Sequence, residues 1–412
     1  MIERKTYKLK DLVTVKGGKR LPKGISLQTE PNNHPYIRIR DMGKRRVLEL
    51  DSTYEYVDNT TQKTIARYIV ETGDVLLSIV GTIGLVGIVG KTLHHANQTE
   101  NCVKLVNLNG IDPLYLYYFL LSPKGQDEIK RGVVGAVQAK LPIKNIENIE
   151  ISLPQLSEQR VIVGILNAID DKIENNRRIN DNLEQQAQTL FDEWLSKAST
   201  YKGSFSDVID TTLAGDWGQE KLQGNYTHEV FCIRGADIPM LCNGDKGKMP
   251  IRYILEKNYI AKQLSANDLV VEISGGSPTQ STGRICMITQ SLLDRLGKDL
   301  VCTNFCRAIT PKSGFAIFIF LYWKMLYNKN TMFSYENGTT GIKNLNIADF
   351  ITKEKIDIPT IKDVNNLNDL LQPIYDQIYA TGLQNERLSS LRDTLLPKLM
   401  SGEISVEDVS LD

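Results

Sequence analysis

The feature that most limits how this chain can fold is a spacing that occurs twice. From Ile162, the positions Leu166, Ile169, Ile173, Asn176, Asn180, Leu183, Ala187, Leu190 and Trp194 follow one another at alternating steps of four and three. That is the seam of a coiled-coil helix, apolar except at its two asparagines. "DDK", "ENNRR" and "LEQQ" occupy the other faces, so a helix read as continuous from Val163 to Leu195 needs one partner rather than burial all round. Moving forward 205 residues reaches Leu367, Leu371, Ile374, Ile378, Thr381, Asn385, Leu388, Arg392, Leu395 and Leu399, with the same spacing and the same polar interruption. The approach repeats as well: "ENIEISLP" ends at Pro154 and "TKEKIDIP" at Pro359.

A chain of 412 residues with a 205-residue period is a tandem duplication. The expected order is a module over 1–152, a long helix over 153–200, a second module over 201–358, and a second long helix with a tail over 359–412. The fold class is therefore α+β: two mixed α/β modules separated by two long helices that pair as an antiparallel coiled coil, with a pseudo-two-fold internal repeat. Helix pairing is assigned to Ile162, Leu166, Ile169, Ile173, Leu183 and Leu190, and to Leu371, Ile374, Ile378, Leu388 and Leu395. Pro373 and Gly382 predict that the second helix begins late or bends, and Pro397 that its last turn is weakened.

Within the modules, "DVLLSIV", "GLVGIV", "CVKLV", "DLVVEI", "RICMI" and "FCRAI" are short apolar runs bounded by Gly, Asn and Asp, which predicts buried strands. "DPLYLYYFLLSPKGQDEIK" and "GFAIFIFLYWKMLYNK" predict core helices; the second, held short by Lys312 and Lys324, is not a membrane span. "YIRIRDM" and "CIRGADI" set Ile37, Arg38 and Asp41 opposite Ile233, Arg234 and Asp237, and "GDVLLSIVG" matches "NDLVVEISG". The frames agree while the residues between them differ, as in two related surfaces that read different targets.

The six cysteines are unevenly spread and lie mostly in strand-like runs, so reduced core thiols are expected; "CTNFC" lacks metal-ligand spacing. The charged start "MIERKTYKLKD" resembles no secretory signal, which predicts a cytoplasmic protein. The net charge of zero hides a partition. Residues 1–50 carry thirteen Lys or Arg against five Asp or Glu, a balance of +8, whereas residues 155–200 balance at −3 and residues 361–412 at −5. A basic leading segment containing "VKGGKRLPKG" and "RDMGKRR" suits a phosphate backbone.

"GTIGLVGIVG" has neither the GxGxxG order nor a phosphate-loop lysine, and no methyl-donor, base-flipping, helicase or nuclease motif is found. The chain is expected to be non-catalytic, with no metal and no cofactor of its own. A rival class is a scaffold in which two sugar- or peptide-binding modules are spaced by a coiled coil.

Two variable modules, each followed by a proline-ended strand and a long helix, with "LPQLSEQRVIVGILNAIDDKIENNRRIN" after the first, resemble the specificity subunit of a type I restriction-modification enzyme. "ETGDVLLSIVGTIGLVGIV", "ANQTENCVKL" and "GAVQAKLPIKNIENIEISLPQLSEQ" belong to the same likeness; "IPTIKDVNN" departs from it by lacking the "SEQ" of Ser157, Glu158 and Gln159. The resemblance implies two target-recognition domains, each reading half of a bipartite site on double-stranded DNA. It also implies two methylation subunits as partners, restriction subunits joined through the complex, and no membrane. A helix of about 40 residues spans ~60 Å, enough to hold modules over half-sites about one DNA turn apart.

Candidate DNA contacts follow. Lys16, Lys19, Arg20 and Lys23 lie in a Gly-rich loop where backbone can approach phosphate. Arg38 and Arg40 alternate on one face of a strand-like run, with Arg234 at the matching place; Arg38 and Arg234 either face DNA or pair internally with Asp41 and Asp237. Gln138 and Lys140, with Thr339, Thr340 and Lys343, are loop residues before each helix, either reading bases or simply solvated.

Overall fold

Short runs that are apolar on both faces fold into strands covered on both sides. Val75–Ser78, Val86–Val89 and Leu269–Glu272 are buried at every position. The computed structural model describes residues 4–43, 45–277, 280–338 and 343–406. It divides into two units, Met1–Asp170 with Ser390–Asp412, and Asp171–Ser389.

In the first unit, a five-stranded sheet runs in the order Thr14–Gly17, Cys102–Val106, Val75–Ser78, Val86–Val89, Val47–Leu48. Its first three pairings are antiparallel and its last is parallel. A small sheet places Pro35–Ile37 between antiparallel Glu55–Tyr56 and parallel Asn97–Gln98. Lys5–Lys8 pairs with Glu150–Leu153, which leads into the first long helix.

The second unit repeats this plan. Ile209–Ala214, Cys306–Pro311, Leu269–Glu272 and Ile285–Met287 form an antiparallel sheet in the corresponding order. Tyr226–Ile233 lies between antiparallel Ile251–Leu255 and parallel Leu300–Cys302. Thr200–Ser204 pairs with Lys355–Pro359 ahead of the second long helix.

The larger sheet of each module is backed by an apolar helix. In the first module it is Pro113–Leu121, where Tyr115, Leu116, Tyr118 and Leu120 are fully buried; Pro123 then starts a separate helix, Pro123–Gly132. In the second module it is Ala316–Asn328, whose Trp323 is fully buried and donates through Nε1 to Gly283 O at 2.8 Å. All six cysteines are unbonded, five of them buried. Burial pushes the Cys102 and Cys232 thiols up to about 12.

The long helices run over Leu156–Lys197 and Ile361–Ser401. The second does not start late: Pro373 is inside it, exposed, beside exposed Asp369. Proline deprives the Asp369 carbonyl of its helical donor, and at the surface water replaces that donor. Pro397 is likewise interior, and the helix continues to Ser401.

In each unit the early part of one long helix meets the late part of the other, so the pairing is antiparallel. In the first unit, Ile162 and Leu166 share a core with Leu395, Leu396 and Leu399, and Arg392 Nη1 lies 2.9 Å from Asp170 Oδ1. In the second, Ala187 and Phe191 share a core with Leu371, Tyr375, Ile378 and Tyr379, against which Leu183, Leu190 and Ile374 pack. Ile169 and Ile173 are buried, and Leu388 is half-buried.

The polar interruption is buried too. Asn176, Asn180, Thr381 and Asn385 are each at most 5 % exposed, so this stretch of seam is not solvated. Asn176 Nδ2 donates to Asn385 Oδ1 at 2.8 Å, and Asn180 Nδ2 to the carbonyls of Ile378 and Asn243, both at 3.0 Å. Gly382 has a steric reason: a Cβ there would lie 2.1 Å from Gly244 O.

Candidate nucleic-acid interface

The Gly-rich loop of the first module is anchored by backbone before any side chain acts. A Cβ on Gly18 would sit 2.0 Å from Thr99 O, so only glycine lets the loop lie this close to the turn at Thr99. Lys19 N donates to Gln98 O at 3.1 Å, and the Tyr36 hydroxyl donates to Lys19 O at 2.8 Å. Burial raises the Tyr36 hydroxyl to about 12, which keeps it a neutral donor. From this fixed base Lys19, Arg20 and Lys23 project as exposed side chains, whereas Lys16, expected in the loop, is an exposed residue of the strand Thr14–Gly17 that leads into it. Lys19 Nζ stands 5.8 Å from the Tyr68 ring centroid, and Arg20 Nε is 2.9 Å from Glu100 Oε1 while the Arg20 side chain remains 84 % exposed.

A second loop is held by reciprocal bonds of 2.9 Å between Val134 and Lys140, and Leu141 N donates to Ile79 O at 2.9 Å. Its tip carries fully exposed Val137 next to exposed Gln138. The two loops meet around a cleft of about 390 Å³ lined by Arg20, Val80, Glu100, Asn101, Gln138 and Lys140. Three expected contact residues are thus brought together. Val80, Glu100 and Asn101 were not among the expected contacts; the Ile79 N to Asn101 O bond of 2.8 Å, between segments distant in sequence, is what brings them here.

Other expected contacts are placed differently. Arg38 and Arg40 do not alternate along a strand: the strand ends at Ile37, and a short 3-10 helix, Ile39–Asp41, follows because Asp41 Oδ2 accepts from Arg38 N at 2.7 Å. The Arg38 guanidinium pairs with Glu55 at 2.5 Å rather than with Asp41, and Arg40 Nη2 donates to Thr53 O at 3.0 Å. Arg234 pairs internally, its Nε 3.0 Å from Asp237 Oδ2 and its Nη2 3.2 Å from Oδ1. Lys343, expected in a loop, instead opens the strand Lys343–Leu345, and its Nζ lies 2.9 Å from Glu336 Oε2 and 4.7 Å from the Phe333 ring centroid. Thr339 and Thr340 lie outside the described residues.

The modules correspond bond for bond around this cleft. Lys19 N to Gln98 O is matched by Asp216 N to Cys302 O, Thr99 N to Ile37 O by Thr303 N to Ile233 O, Ile79 N to Asn101 O by Ile273 N to Phe305 O, and Leu141 N to Ile79 O by Leu345 N to Ile273 O. Gly215 repeats Gly18, since a Cβ there would fall 2.1 Å from Thr303 O. Among the described residues no group of three or more metal-ligating side chains is found, and no helix is long and apolar enough to cross a membrane.

Residues 1–185 match the family model described as "Type I restriction modification DNA specificity domain". The chain is 24 % identical over 420 residues to the type I restriction enzyme MjaIX specificity subunit of Methanocaldococcus jannaschii, covering 98 % of this chain and 94 % of that protein. It is 21 % identical to the type I restriction enzyme HindI specificity subunit of Haemophilus influenzae, covering 72 % of this chain and 79 % of the relative. The crystal structure of a type I restriction-modification system S subunit from M. genitalium superposes with a TM-score of 0.50 at 16 % identity, over 97 % of this chain and 96 % of that one, a likeness of fold. Residues 1–185 thus match a type I restriction modification DNA specificity domain, and over nearly its whole length the chain, with its duplicated module-and-helix plan and paired long helices, is similar to a specificity subunit of a type I restriction enzyme.

Proposed function

We propose that each module, over about 1–152 and 201–358, reads one half of a bipartite site on duplex DNA, and that the long helices set the spacer and dock two methylation subunits. The observation that carries this reading is the cleft of Arg20, Gln138 and Lys140 beside exposed Lys16, Lys19 and Lys23. Lysine and arginine supply phosphate contacts, while a glutamine amide can bond both groups on an adenine edge. The acidic balance of the helices supports their use as a protein-docking frame rather than a DNA surface, since like charge repels the backbone. The chain itself is the non-catalytic component: methyl transfer belongs to the methylation subunits and cleavage to restriction subunits, all working where chromosomal DNA lies, in the cytoplasm.

The test is binding of the chain with its methylation subunits to random and genomic duplexes across a salt series, followed by methylome sequencing. Salt-dependent binding and methylation at split sites are expected. Absence of binding at low salt would exclude the reading.

A further inference from the structure

The bond-for-bond match between modules locates a surface that the sequence pattern did not mark. Two residues past the jammed Gly18 stands Arg20; two past the equally jammed Gly215 stands Trp217. Asn101, which lines the first cleft, corresponds through its carbonyl bond to Phe305. Where the first module presents a guanidinium and an amide, the second presents two aromatic rings. Both are exposed, Trp217 by 38 % and Phe305 by 55 %.

The second module holds the Trp217 ring in place and fixes the backbone at Phe305. The Arg252 guanidinium lies 3.7 Å from the Trp217 ring centroid, is itself buried, and pairs with Glu220 at 3.3 Å. Asp216 accepts from Gly218 N at 3.0 Å and from Asn258 Nδ2 at 2.6 Å, and reciprocal bonds join Gln219 to Tyr253 at 2.8 and 2.9 Å. Phe305 has its carbonyl fixed by Ile273 N at 2.9 Å. A ring whose position is already fixed loses little conformational entropy on contact.

Resting on the half-site reading above, we infer that Trp217 and Phe305 form the base-contacting surface of the second module and recognise the 5-methyl group of thymine. That methyl is the one apolar group in the DNA major groove, and aromatic carbon is a chemical match for it. The two half-sites are then discriminated by different chemistry: hydrogen bonding at Gln138 in the first, apolar contact in the second.

The test uses the complex with its methylation subunits. Methylome sequencing of the wild type defines the two half-sites; duplexes are then made with deoxyuridine in place of each thymine. In the wild type, deoxyuridine in the half-site assigned to the second module is expected to weaken binding by about 4-fold, the value of one buried methyl. In Phe305→Ala, which alters only an exposed side chain, and in Trp217→Ala, that penalty shrinks and base preference relaxes in this half-site alone. Wild-type binding that is site-specific, with base preference and deoxyuridine sensitivity unchanged in Phe305→Ala, overturns the inference while leaving the half-site reading intact. A wild-type complex that binds no duplex overturns the half-site reading itself.

Discussion

Asn176 and Asn385 face each other across the paired long helices, Nδ2 to Oδ1 at 2.8 Å, with 1 % and 3 % of their surfaces exposed. Amides in an apolar seam are satisfied in only one alignment, so they define register at some cost in stability. Asn176→Ala leaves the Asn385 acceptor buried without this donor and is expected to cost about 1–3 kcal/mol in urea denaturation. Asn176→Leu with Asn385→Leu removes both polar groups and should recover most of that loss, while allowing alternative registers.

Gly382→Ala tests the closeness of the second long helix to Gly244. Helix propensity alone favours alanine by about 1 kcal/mol. Here the added Cβ would meet the Gly244 backbone carbonyl at 2.1 Å, and backbone cannot swing aside as a side-chain end does. A net loss of about 1–3 kcal/mol in denaturation is expected, opposite in sign to the propensity.

His228 gives the second module a pH-dependent component. Burial opposes its charge, but Asp299 Oδ2 and Glu256 Oε2, each 2.7 Å from a ring nitrogen, raise its pKa above the ordinary value. A group whose folded pKa exceeds its unfolded one stabilises fully below the unfolded value, near 6.5, and that stability is lost as pH rises through the folded pKa. Wild type should therefore lose stability relative to His228→Gln as pH rises from about 6 upward. Parallel melting curves for the two proteins across that range check the sign.

Much of the architecture was legible because a duplication writes every signal twice. Both helices and the strands at "DVLLSIV", "CVKLV" and "RICMI" follow from spacing and apolar runs. The heptad recorded only the partner-helix face, however. Phe191, Tyr375 and Tyr379 are buried off that seam, because each long helix also packs into a module core. The sheets that accept them form from distant segments. Arg38 and Arg40 looked like one strand face because the turn after Ile37 depends on the Asp41 side chain, not on apolar alternation. The cleft itself was half legible: Arg20, Gln138 and Lys140 stood out by type, whereas Glu100, Asn101 and Phe305 are ordinary turn residues until backbone bonds place them.

Arg20 and Glu100 offer a charge test of the first cleft. Arg20→Ala, like Lys19→Ala, should weaken binding to cognate and random duplex alike, lowering the salt slope by about 1 for each phosphate no longer neutralised. Glu100→Gln removes the carboxylate 2.9 Å from Arg20 Nε and should strengthen non-specific binding. Affinities on both duplexes at several salt concentrations separate phosphate binding from base reading, which would show as a loss confined to the cognate site.

The division of labour between the two modules is tested most directly by exchanging one of them. Residues 1–152 are replaced by the corresponding module of a relative, and the methylome of the resulting complex is sequenced. One half of the split recognition sequence should change, while the other half and the spacer length remain as in the wild type. A change in both halves, or in neither, would contradict the account.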